Sequence, residues 1–182
     1  YGGWSDPYLR GRGYGIYNYD CGKEVYQEAA GYNHNYINNH VYNTGVNGIG
    51  IYAGDRIDLD PANHNIYNCE INNTGRYEQS FGVAVIALGC GINVIGNTLY
   101  NVPFNAIRFG NNDSVIEYND IYNCMNEGND MGVLYSTGWD ASNCAGLEIR
   151  YNYIHDVDPT LSDSGIVGGG DEITIICRGS DA

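Results

Sequence analysis

Residues 114–123 read SVIEYNDIYN, and near copies stand at four other places: HNYINNHVYN at 34–43, HNIYNCEINN at 64–73, INVIGNTLYN at 92–101 and LEIRYNYIHD at 147–156. Successive copies begin 30, 28, 22 and 33 residues apart, the length of one solenoid coil. Aligned on these blocks, each column keeps its chemistry. Tyr36, Ile66, Val94, Ile116 and Ile149 form one apolar column, and Val41, Ile71, Leu99, Ile121 and Ile154 a second. Between them run Asn39, Cys69, Asn97, Asn119 and Asn152, and each block closes on Asn43, Asn73, Asn101, Asn123 or Asp156. An asparagine recurring at a turn of stacked coils can bond its own backbone and the amide of the next coil.

A second short apolar run follows each block: GIGIY at 48–52, GVAVIAL at 82–88, NAIRF at 105–109, GVLY at 132–135 and GIV at 165–167. Strands separated by Asn and Gly turns, with no period of 3.6, predict an all-β chain: a right-handed parallel β-helix of about five to six coils with asparagine ladders. The expected organisation is one domain over residues 1–182. Residues 1–30 form an irregular or partial first coil, 31–167 five repeat coils, and 168–182 a terminal strand. Equivalent residues of adjacent coils then lie about 4.8 Å apart, the spacing of paired strands, so alignment columns become distances.

Composition agrees. The 182 residues include 26 Gly, 18 Tyr and 24 Asn against 8 Lys+Arg, a mixture suited to turns and half-buried strands and poorly suited to helices. The formal charge of −14 argues against a nucleic-acid partner, which needs clustered Lys and Arg. No run of 18 apolar residues is present, so no membrane span is expected. Six cysteines without CxxC spacing are either small buried residues or partners in up to three disulfides. Two glycosylation sequons start at Asn72 and Asn112.

The segment GNDMGVLYSTGWD, followed by LEIRYNYIHDV, resembles the bacterial right-handed parallel β-helix repeat proteins, many of which act on polysaccharides. The likeness covers about 32–157 and is closest over 107–157. A glycoside-hydrolase-like subset of that family is matched by Phe109-Gly110-Asn111-Asn112-Asp113, by Asp130 with Gly132 and Tyr135, by Gly138-Trp139, and by Arg150-Tyr151-Asn152-Tyr153 with His155-Asp156. The arginine that precedes the tryptophan in that pattern is absent. The resemblance implies a carbohydrate partner, with Asp113, Tyr135, Trp139, Arg150 and His155 as substrate-binding candidates.

The residues add candidates of their own. Asp130 and Asp163 each lie two positions before a glycine that opens a second strand, 33 residues apart, so equivalence would place their carboxylates about 5 Å apart, as in a retaining glycosidase. Two such carboxylates cannot both ionise freely, and one becomes a general acid; the alternative is ordinary Asp turn chemistry. Asp156 is the one carboxylate in a column of asparagines and joins them as a catalytic candidate. Asp113 and Asp120 lie one coil earlier and can contribute to the same site; the alternative for Asp120, inside a block, is that it points outward into solvent. Asp55, Asp58 and Asp60 alternate along a loop and offer oxygen ligands for Ca²⁺, and His34 and His64 share a column but lack a third ligand for zinc.

Two functions follow as expectations. The first is a secreted or cell-surface β-helix that binds a polysaccharide, either without catalysis or with hydrolysis through paired carboxylates; a uronate lyase fits less well in a chain with one lysine. The second is a non-catalytic structural solenoid, a scaffold or a fibre subunit that self-associates end to end.

Overall fold

The computed structural model describes residues 13, 15–19, 31–127, 132–136, 144–157 and 175–176. The chain winds through three parallel sheets in turn. Sheet A holds β1 (Ile16–Tyr19), β4 (Ile49–Ala53), β7 (Val85–Cys90), β10 (Ile107–Asn112), β13 (Leu134–Ser136) and β16 (Ile175–Ile176). Sheet B holds β2 (Asn35–Ile37), β5 (His64–Tyr67), β8 (Ile92–Ile95), β11 (Val115–Glu117) and β14 (Glu148–Arg150). Sheet C holds β3 (His40–Tyr42), β6 (Glu70–Asn72), β9 (Thr98–Val102), β12 (Asp120–Cys124) and β15 (Tyr153–His155). Five A–B–C triplets and the opening strand of a sixth make this a parallel β-helix.

Register follows the sequence columns. Tyr36 pairs with Ile66, Ile66 with Val94, Val94 with Ile116 and Ile116 with Ile149 in sheet B. Val41, Ile71, Leu99, Ile121 and Ile154 are neighbours in sheet C. Both columns point inward because alternate strand residues face opposite sides, and Ile66, Val94, Ile116, Ile71, Leu99 and Ile121 are fully buried. Sheet A completes the core with Ile49, Ile51, Val85, Ala87, Ile107, Phe109 and Leu134.

Three corners of every coil share one backbone state. Asn33, Asn63, Gly91, Asp113 and Gly146 enter sheet B; Asn38, Asn68, Gly96, Tyr118 and Tyr151 separate B from C; Asn43, Asn73, Asn101, Asn123 and Asp156 leave C. All have φ between 45° and 68°, the left-handed region in which glycine and asparagine cost least. Eight of the 24 asparagines and three of the 26 glycines stand at these corners. The two tyrosines in that state stack on each other, ring centroids 5.2 Å apart, so aromatic contact offsets part of the backbone strain.

The buried ladder beside the second corner has a repeating bond pattern. Asn97 Oδ1 accepts from the Cys69 amide at 2.9 Å, while Asn97 Nδ2 donates to Asn119 Oδ1 and to the Ile66 carbonyl, both at 3.0 Å. Asn119 and Asn152 repeat the arrangement one coil on. Cys69 stands in this ladder without breaking it, because its thiol lies near the Tyr36 carbonyl at 3.2 Å and accepts from Asn39 Nδ2 at 3.8 Å.

In sheet A the strand after β13 is β16, with Leu134 beside Ile175 and Tyr135 beside Ile176. Leu134 to Ile175 is an offset of 41 positions, not the 33 that holds in sheets B and C between Ile116 and Ile149 and between Ile121 and Ile154. The expected strand at 165–167, with Asp163 before it, lies outside the described residues.

Candidate functional site on the outer face of sheet C

The outward residues of sheet C form two straight columns along the helix axis. One runs His40, Glu70, Thr98, Asp120, Tyr153; the other runs Tyr42, Asn72, Tyr100, Tyr122, His155. Aromatic rings stack down the second: Tyr100 on Tyr122 at 5.0 Å and 4° between planes, and Tyr122 on His155 at 5.1 Å. Tyr153 stacks against the side of the same imidazole at 4.4 Å. Tyrosines in equivalent positions of adjacent coils are held at the strand spacing, which is also a stacking distance.

His155 joins three coil positions. Its Nδ1 lies 2.8 Å from Asp156 Oδ2 and its Nε2 3.0 Å from Asp120 Oδ1. A ring with a carboxylate at each nitrogen is satisfied when both nitrogens carry protons and donate. The hydrogen bond to Asp156, and after it the one to Asp120, favours the protonated ring and raises the His155 pKa above the usual histidine value, against an opposing effect of burial. Asp156 sits on a corner with φ 49° and its side chain is 81% exposed. Asp120 is not simply solvated, as its place inside a block suggested: it lies diagonally across the ladder from His155 and is bonded to it.

The other sequence-derived candidates are spread over the molecule. Arg150 is on the outer face of sheet B, where its Nε bonds Glu117 at 2.7 Å and its guanidinium also bonds Glu148; it belongs to a surface ion-pair group. Tyr135 is in sheet A, beside Arg108, whose guanidinium lies 6.0 Å from the tyrosine ring centroid. Asp113 occupies a left-handed corner, its amide bonded to the Ala145 carbonyl at 2.8 Å and its carboxylate packed so closely on Gly146 that a Cβ there would lie 2.2 Å from Oδ1. Tyr135, Arg150 and His155 therefore occupy three different sheets. Only His155 and Asp156 of the expected set are in direct contact, and Asp130, Trp139 and Asp163 lie outside the described residues.

Asp55 has a turn role: its Oδ1 accepts the Ile57 and Asp58 amides at 2.8 and 3.1 Å, and its backbone pairs with Asp60. Among the described residues no three His, Cys, Asp or Glu side chains converge on a metal-sized site. His64 Nδ1 accepts the His34 amide at 3.1 Å, and the two rings lie 5.0 Å apart. Both sequon asparagines are buried, and Asn112 donates to the Arg56 carbonyl at 2.7 Å. Cys69, Cys90 and Cys124 are free thiols; burial first of all raises Cys90 to about 11 and Cys124 to about 12.

Stacking of Tyr100 on Tyr122 follows from their shared ladder column, but sequence reasoning missed Glu70 and the bond of Asp120 to His155. The columns were readable from the repeat, but the diagonal contact from Asp120 to His155 is not a column relation. Among the described residues no helix is long and apolar enough to cross a membrane. Comparison of the chain with protein-family models, with curated proteins and with solved structures returned no match.

Proposed function

We propose that the chain is a secreted or cell-surface β-helix that binds a neutral polysaccharide on sheet C and hydrolyses it at the Asp120, His155 and Asp156 group. The observation that carries this reading is the His155 imidazole held between two carboxylates on an exposed face, flanked by Tyr122 and Tyr153. Hydroxyls of tyrosine and carboxylate oxygens suit a ligand rich in hydroxyl donors. None of the sheet C strands contains Lys or Arg, and His155 is already paired with two carboxylates, so the face offers little counter-charge to an anionic polymer.

Hydrolysis needs one proton donor and one acceptor. His155 as imidazolium is the donor: its Nε2 proton leaves the bond to Asp120 and passes to the glycosidic oxygen as the bond to the anomeric carbon breaks. Asp156 Oδ1, the carboxylate oxygen that does not bond the ring, accepts a proton from the attacking water, whose oxygen bonds that carbon. A proton returned from Asp156 to Nε2 through solvent restores the site. Asp156 Oδ2 orients the ring from Nδ1, the role a carboxylate has for histidine in hydrolytic triads, and Asp120 holds the Nε2 proton between turnovers.

The test is reducing-end release from a panel of neutral glycans. Asp156→Asn and His155→Gln should each lower the rate by about a hundredfold or more, the usual worth of a general acid or base, without loss of binding. Release that both variants leave unchanged, or no release from any glycan, removes the hydrolytic step.

The structural-solenoid reading keeps one specific support: Asp156 occupies the same left-handed corner as four asparagines, a position that Asp fills on backbone grounds alone.

A further inference from the structure

A second polar group stands on the same face, away from His155. Tyr100 Oη donates to Glu70 Oε1 at 2.7 Å, Asn72 Nδ2 approaches the same oxygen at 3.4 Å, and His40 Nε2 lies 3.5 Å from it and 3.1 Å from Asn72 Nδ2. Glu70 is about half exposed and leaves its second carboxylate oxygen for an outside donor. The Tyr100, Tyr122 and His155 stack links this group to the hydrolytic one without interruption.

The register sets the distance between the two. Glu70 is on β6 and His155 on β15, three strand steps apart through β9 and β12, which is about 14 Å along the axis. Between them Thr98, Tyr100, Asp120 and Tyr122 face outward, so hydroxyl and carboxylate groups recur at every coil. A polymer of repeating hydroxylated units laid parallel to the axis meets similar chemistry at each step; laid across the sheet, it leaves this row after one strand.

We propose that Glu70 and Tyr100 form a distal subsite of the surface centred on His155, so that the polysaccharide runs along the helix axis over sheet C. This rests on the polysaccharide reading above and adds an orientation and a length requirement. Charge complementarity selects a neutral chain: the carboxylates accept from sugar hydroxyls, whereas a uronate chain would set its own carboxylates against Glu70, Asp120 and Asp156.

The test is calorimetric titration of gluco-, xylo- and manno-oligosaccharides of two and six units into the wild type, Glu70→Gln and Tyr100→Phe. Circular dichroism on each variant confirms the fold. A six-unit chain spans the two groups and should bind the wild type about tenfold tighter than the two-unit chain of the same sugar. Glu70→Gln and Tyr100→Phe should remove most of that gain and leave two-unit binding unchanged. A six-unit chain no tighter than two units, or variants that weaken both lengths equally or not at all, overturns the distal subsite while leaving the polysaccharide reading intact. Binding by no oligosaccharide overturns both.

Discussion

At the residue scale, Asp156 has two jobs, and only one was visible in the sequence. Its column showed a carboxylate among asparagines, but the left-handed backbone that favours Asn, Asp or Gly there is a property of the folded corner. Its bond to His155 gives a pH signature with a definite sign. The folded-state pKa of His155 lies above its unfolded value near 6.5, so its contribution to stability is complete below that value and is lost as pH rises through the raised folded pKa. Thermal unfolding of the wild type and His155→Gln from pH 5 to 9 should show the wild-type advantage shrinking toward the alkaline end. A gap that is constant or widens upward would remove the imidazolium. The cysteines make a second residue-scale prediction. With thiols raised to about 11 and 12 by burial, Cys90 and Cys124 should resist iodoacetamide at pH 8 in the native state and react on unfolding.

At the element scale, the corners and ladders hold the strands in register, and their contributions differ with burial. Asn97→Ala leaves the buried Cys69 amide and Ile66 carbonyl without the partners Asn97 supplies. It should cost roughly 2–4 kcal/mol, read as a fall in melting temperature of about 2–4 °C per kcal/mol. Asn123→Gly keeps a left-handed corner and loses an exposed side-chain bond to Asn101, so it should change stability by no more than about 0.5 kcal/mol. Equal effects would mean that the buried ladder is not what fixes the coils. The inward columns and the ladder from Asn39 to Asn152 were legible in the sequence because a parallel coil repeats its chemistry at a fixed position. The corners at Asn33, Asn38 and Asn43 recur every five residues in each coil, a spacing present in the sequence but masked where Tyr118, Tyr151 and Asp113 replace Asn or Gly.

At the scale of the whole molecule, the winding decides which distant residues become neighbours. The 33-residue step between the last two strands of sheets B and C is not shared by sheet A, which advances 41 positions from Leu134 to Ile175, while Asp130 and Asp163 lie outside the described residues. The long connection from C back to A varies from coil to coil, so its alignment cannot be read from the repeat, whereas the short B to C corner is constant. The same winding separates Arg150 on sheet B from His155 on sheet C although they are five residues apart, because a left-handed corner at Tyr151 turns the chain between them. The proposed function makes sheet C, not the neighbouring sheet, the binding face. Its most direct test is glycan affinity measured on matched outward substitutions of the two sheets. Asp120→Asn and Tyr122→Ala on sheet C should each weaken binding about tenfold, while Arg150→Ala and Tyr67→Ala on sheet B should leave it unchanged. Loss of binding on the sheet B substitutions with sheet C substitutions silent would contradict the account.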